Sequence, residues 1–172
     1  MPLTDFERLP DDARLWVFGT ERPLSEKEEQ RLLGEVDAFL EGWAAHGLPL
    51  TCAREWRHGR FLLVAVDPAS EPPSGCSIDA MVRRLKELEQ ELGLVRVDAS
   101  PVWWRGGAGE VRRASRGEFR RLAEEGQVTP ETVVWDGAVT HVAQVREGEW
   151  ERPAGRGWHA RAFFRGAASG GR

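Results

Sequence analysis

Phe61-Leu62-Leu63-Val64-Ala65-Val66 is the stretch that decides the fold. Six consecutive apolar residues fall far short of the ~20 needed to cross a bilayer as a helix. Bounded by His58-Gly59 before and Asp67-Pro68 after, they read as a strand buried on both faces. Working upstream, His58-Gly59 is a turn, and Leu50 to Trp56 is the strand that enters it, with mixed faces. Before that, Leu32, Leu33, Val36, Phe39, Leu40 and Trp43 recur at helical spacing. Ser25-Glu26-Lys27-Glu28 opens that helix with a Ser-x-x-Glu capping box, and His46-Gly47 is expected to end it ahead of Pro49. Leu15-Trp16-Val17-Phe18, broken by Gly19 to Pro23, is a further buried strand.

Downstream, the loop from Asp67 to Ser74 leads to a second amphipathic helix. Its stripe is Ile78, Met81, Val82, Leu85, Leu88 and Leu92, and it stops at Gly93. Val95-Arg96-Val97 then reads as a strand. The order is βαββαβ, which predicts an α+β fold of the ferredoxin-like sandwich type. In that topology the first and third strands are central, and these are the two most apolar strands here. From Val102 the pattern changes. Val102-Trp103-Trp104 and Val111-Arg112-Arg113 flank a Gly-rich turn, Ser115-Arg116-Gly117-Glu118 opens a short helix that ends at Gly126, and Asp136-Gly137 is a hairpin signal between Thr132–Trp135 and Ala138–Val142. The expected organisation is an N-terminal extension over 1–13, a ferredoxin-like domain over 14–104, a β-rich appendage over 105–164 and a flexible tail over 165–172.

Composition narrows the function. The chain has 172 residues, 24 basic against 28 acidic side chains and 41 % apolar residues, enough for a core that needs no disulfide or metal. The start, Met1-Pro2-Leu3-Thr4-Asp5-Phe6-Glu7, has neither the basic nor the apolar region of a secretory signal, so a cytoplasmic location is expected. No G-x-x-x-x-G-K-[ST] occurs, and the two lysines, Lys27 and Lys86, fall inside predicted helices, which excludes a P-loop ATPase. Cys52, Cys76 and four scattered histidines lack the spacing of a structural zinc site, so neither a metal nor another cofactor is expected. In a reducing compartment no disulfide between the two cysteines is expected. A pI near 5.7, with no single element combining a basic face and interleaved aromatics, argues against nucleic-acid binding.

Chemistry concentrates at Ser74-Gly75-Cys76-Ser77-Ile78-Asp79, which places a cysteine in the first turn of a helix. Free N–H groups and the positive end of the helix dipole favour a thiolate there, suited to act as nucleophile. The N–H groups of Cys76, Ser77 and Ile78 also offer a cradle for a small anionic ligand, with Gly75 permitting close approach. The opposing reading is structural: Ser74 or Ser77 caps the helix, Cys76 is packed, and Asp79 offsets the dipole. The predicted topology brings His46 to the same end of the sandwich, making a Cys/His pair with His46 as base and Asp79 or Thr51 as orienting group. A different class of function is a module that captures a protein partner or a second copy of itself. Trp103, Trp104, Trp135, Trp150 and Trp158 would serve it as an exposed aromatic surface, or else form the core of the appendage.

Trp43-Ala44-Ala45-His46-Gly47-Leu48-Pro49-Leu50, Ser74 to Asp79, and Trp158-His159 together resemble a family of small bacterial proteins of similar length, often labelled ABC transporter ATPases although they carry no Walker motif. The likeness runs from Arg14 to Phe164. It implies that the stretches holding His46 and Ser74, Gly75, Cys76, Ser77 and Asp79 match the family's motifs, and Trp158-His159 joins them, which adds His159 as a ligand-binding candidate.

Overall fold

A computed structural model describes residues 3–69, 71–96 and 101–165. The chain is mixed α/β with antiparallel sheets, an α+β arrangement, and it divides into two units: Met1–Val97 with Thr140–Ala143, and Asp98–Val139 with Gln144–Arg172.

In the first unit, β1 (Arg14–Thr20), β4 (Thr51–Arg57), β5 (Phe61–Asp67) and β6 (Leu94–Arg96) form one antiparallel sheet in the order β4-β5-β1-β6. The two most apolar strands are therefore the central ones. β5 is buried from Phe61 through Val66, as its unbroken apolar run requires. Helices α1 (Glu26–Glu41) and α2 (Gly75–Leu92) supply Leu32, Val36, Leu40, Met81, Leu85 and Leu88, which pack with Phe18, Leu62, Val64 and Val66 in one core. Burying each such side chain contributes about 1.5–3 kcal/mol. The Ser25–Glu28 capping box forms in both directions: Ser25 Oγ accepts from Glu28 N–H at 3.2 Å, and Glu28 Oε1 accepts from Ser25 N–H at 3.0 Å. The loop into β5 has left-handed φ values at His58 (+57°) and Gly59 (+64°), and Arg60 N–H donates to Arg57 C=O at 3.1 Å, the pattern of a type I′ turn.

The expected end of the first helix is corrected. α1 stops at Glu41 with Gly42 as its C-cap, and β2 (Ala44–Ala45) pairs with β3 (Leu48–Pro49) across His46-Gly47. His46 and Gly47 take φ +52° and +77°, so they are a hairpin turn. Burial of Trp43 decides the difference. Its ring packs edge-on to Trp16, and its indole N–H donates to Ser77 C=O at 2.8 Å, drawing the chain off the helical path.

In the second unit, β7 (Pro101–Arg105), β8 (Val111–Ser115), β9 (Val133–Trp135) and β10 (Glu151–Pro153) order as β10-β9-β7-β8. Val102–Trp104, assigned from sequence to the first domain, lies in β7 and pairs with β8 and β9. Helices α3 (Arg116–Glu124) and α5 (His159–Phe163) add Phe119 and Phe163 to a core with Val102, Trp104, Val128, Val134 and Phe164. Ser115 caps α3 as expected, its Oγ accepting from Glu118 N–H at 3.1 Å.

The hairpin expected at Asp136-Gly137 does not form. Gly137 is not among the glycines with positive φ, which a type I′ turn demands, and the Asp136 carboxylate instead accepts from Ala138 N–H at 2.9 Å. The partner of β9 on that side is β10. The segment expected to return as a strand bonds into the first unit, with Leu15 N–H on Thr140 C=O and Val142 N–H on Ala13 C=O, and then starts α4 (Val142–Arg146).

Candidate functional site

At the start of α2 the two serines cap each other. Ser74 Oγ accepts from Ser77 N–H at 3.1 Å, and Ser77 Oγ accepts from Ser74 N–H at 2.7 Å. Ile78 N–H is bonded to Ser74 C=O at 3.0 Å. Two of the three N–H groups expected to cradle an anion are thus committed to the cap. Ser77 is 4 % exposed, whereas Gly75, Cys76 and Asp79 face solvent. His46 is exposed at the tip of the β2–β3 hairpin. Trp43 ties the neighbourhood of His46 to the first turn of α2, yet among the described residues no hydrogen bond joins the His46 ring to Cys76. The structural reading of Ser74 and Ser77 therefore holds, while that of a packed Cys76 does not: the packed thiol is Cys52. Its Sγ donates to Leu40 C=O at 3.5 Å, and burial pushes it up to about 12, leaving Cys76 as the exposed thiol. Among the described residues no group of three or more His, Cys, Asp or Glu is placed to hold a metal ion, and no helix is long and apolar enough to cross a membrane.

His159 lies in the second unit, apart in sequence from these residues and in different company. It is 2 % exposed, stacked on Trp158 at 3.9 Å between ring centroids, and its Nδ1 has no hydrogen-bond partner. Burial pulls its pKa down to about 4; the Asp136 carboxylate opposes this, and Arg152 and Arg116 reinforce it. Asp136, 5 % exposed, also accepts from the Trp158 indole N–H at 3.2 Å and faces the Arg152 guanidinium at 3.5 Å. Arg152 in turn lies flat against Gly157, where a Cβ would meet the guanidinium at 2.9–3.2 Å. His159 is thus held neutral at pH 7 in a buried polar cluster. Asp136 and Arg152 are missed by sequence reasoning because Asp136-Gly137 looks like an ordinary turn.

The tryptophans of this unit do not form an exposed surface. Trp103, Trp104, Trp135 and Trp150 are buried, and Trp158 is half-buried. What faces outward is a layer of arginines lying over rings. Arg112 sits over Trp104 (5.9 Å), Arg113 over Trp103 (5.5 Å), Arg116 over Trp158 (4.8 Å) and Arg120 over Phe163 (5.8 Å). Between α3 and α5 lies an open cavity of about 430 Å³, with Phe163 and Phe164 as its floor, Ala123 beside them, and Arg120, Glu124 and Arg165 around it. The sequence carried two signals for it: the i,i+4 pair Arg120 and Glu124 on α3, and the adjacent pair Phe163-Phe164. A larger cavity in the first unit, about 880 Å³, lies between Leu3–Arg8 and β4. Its central cation is occupied, since Arg54 grips Asp37 through two bonds of 2.8 and 2.9 Å.

No protein-family model matches the chain, and neither a curated protein nor a solved structure matches it.

Proposed function

We propose that the chain is a non-catalytic interaction module, with a ferredoxin-like first unit and a docking groove for a polypeptide between α3 and α5 of the second. The order β4-β5-β1-β6 with α1 and α2 in the two crossovers supports the ferredoxin-like assignment. The observation that carries the docking reading is the α3–α5 cavity itself, an aromatic floor with a charged rim, the composition of an interface centre and its surround. The test is a peptide-display selection against the full chain, followed by mapping of enriched peptides through amide shifts in a labelled sample. Enriched sequences that perturb Arg120, Ala123 and Phe163 support the module. An empty selection, or perturbation confined to the first unit, refutes it.

A second reading is favoured by the exposure of Cys76 in the first turn of an 18-residue helix. In it Cys76 is an activated thiol and His46 its base, in the cytoplasm. Alkylation rate against pH, with the unfolded chain as reference thiol, decides it. Fast reaction persisting well below pH 8 and slowed by His46→Ala supports the thiol site, and a rate no faster than the reference at every pH removes it.

A further inference from the structure

We infer that the α3–α5 groove receives an acidic segment, held by one aromatic or large aliphatic side chain with carboxylates on either side. The inference rests on the docking reading and names its partner class.

Length sets the first limit. α5 has five residues, roughly 8 Å at ~1.5 Å per residue, while an extended chain advances ~3.3 Å per residue, so the groove spans about two to three residues of a bound peptide. One anchor fits over the Phe163–Phe164 floor, and its neighbours reach the rim. Charge sets the second. α3 carries Arg116, Arg120 and Arg121 against Glu118 and Glu124, and residues 152–165 carry four arginines with no acidic residue. Arg120, exposed and over Phe163, makes no ion pair among the described residues. A guanidinium over a ring keeps its in-plane N–H donors available to a carboxylate at small cost in side-chain entropy. Glu124 is the single carboxylate among the described residues that line the groove, and it turns the acidic flank of a peptide toward Arg120.

A nucleic acid is the disfavoured occupant. The second unit carries 12 basic and 10 acidic side chains, an excess of two, and the rings of Trp104 and Phe119 are buried beneath other groups.

The experiment uses the full chain and fluorescein-labelled peptides with one central phenylalanine flanked by glutamates, serines or lysines, read by anisotropy, with oligothymidylate as a fourth probe. The glutamate-flanked peptide should bind best, about tenfold tighter than the serine-flanked one, and weaken as salt rises. Arg120→Glu, at an exposed position and checked by circular dichroism, should reverse the preference toward the lysine-flanked peptide. Equal binding of the glutamate- and serine-flanked peptides overturns this inference, and so does tighter binding of the lysine-flanked peptide or of oligothymidylate to the unaltered protein. If display selection returns groove-binding peptides without acidic flanks, the inference fails and the docking reading stands. If it returns none, both fail.

Discussion

In the first unit several arginine side chains end on carboxylates, Arg22 on Glu28, Arg31 on Glu91, Arg54 on Asp37, Arg84 on Glu35 and Glu87, while Arg60 ends on Thr20 and Arg14 lies over Trp16. In the second unit they more often end on rings, as Arg112, Arg113, Arg116 and Arg120 do, although Arg105 reaches both the Trp135 ring and Glu151. Residues 1–97 hold 18 acidic against 12 basic side chains, so carboxylates outnumber cations there. The second unit has fewer acids, and its arginines lie over rings that are buried or half-buried. A surface ion pair contributes about 0–1 kcal/mol and cancels its own charge, whereas an arginine laid on a ring keeps its charge for a partner. Arg120, over Phe163, is such an arginine, with no ion pair among the described residues.

The sharpest way to separate the two units is through their cores. Phe119→Ala should cost about 4 kcal/mol, because Phe119 is fully buried and touches Trp104, Phe163 and Phe164, while Leu40→Ala in the first unit should cost about 3 kcal/mol. Denaturant unfolding gives the magnitudes, and hydrogen exchange shows which amides lose protection. Equal loss of protection across both units on Phe119→Ala would break the distinction.

Acid comes next. His159 has a folded pKa near 4, below its ordinary value of 6.5, so the unfolded chain binds the proton more readily. Stability is complete above pH 6.5, falls as pH drops from 6.5 to 4, and levels below that, a loss of about 3 kcal/mol from this group. His159→Phe should flatten that part of the pH–stability curve. An unchanged slope would assign the acid sensitivity to other groups.

A smaller effect tests the capping box of α2. Ser74→Ala removes the oxygen that accepts from Ser77 N–H and should cost about 1 kcal/mol. Exchange in the first turn of α2 should rise, and Cys76 should alkylate faster if fraying exposes it further. The smallest effect concerns the ion pairs. Arg54→Met should cost less than about 1 kcal/mol and depend on salt, because both partners are partly exposed. A loss several times larger would show that the first unit depends on its paired arginines.

Much of this was legible before the structure. Phe61–Val66 announces a strand buried on both sides, and Ser25-x-x-Glu28 and the Ser at 74 announce helix starts, because each depends on local chemistry. The turn signals were ambiguous. Asp136-Gly137 and His46-Gly47 are both turn-forming pairs, and the hairpin forms at the second because burial of Trp43 ends α1 early and the chain must then reverse. Of the candidate site, the sequence located the exposed Cys76 and the caps of Ser74 and Ser77. It paired His159 with its neighbour Trp158 but did not find Asp136 and Arg152, which separate elements bring to that cluster.

The sequence by itself determined the starts of α1, α2 and α3 and which strands of the first unit are central, because period, capping and apolar runs act over a few residues. Only the tertiary structure decided which charges remain available. Whether an arginine meets a carboxylate or a ring depends on neighbours distant in sequence, and packing alone places Arg120 of α3 over Phe163 of α5.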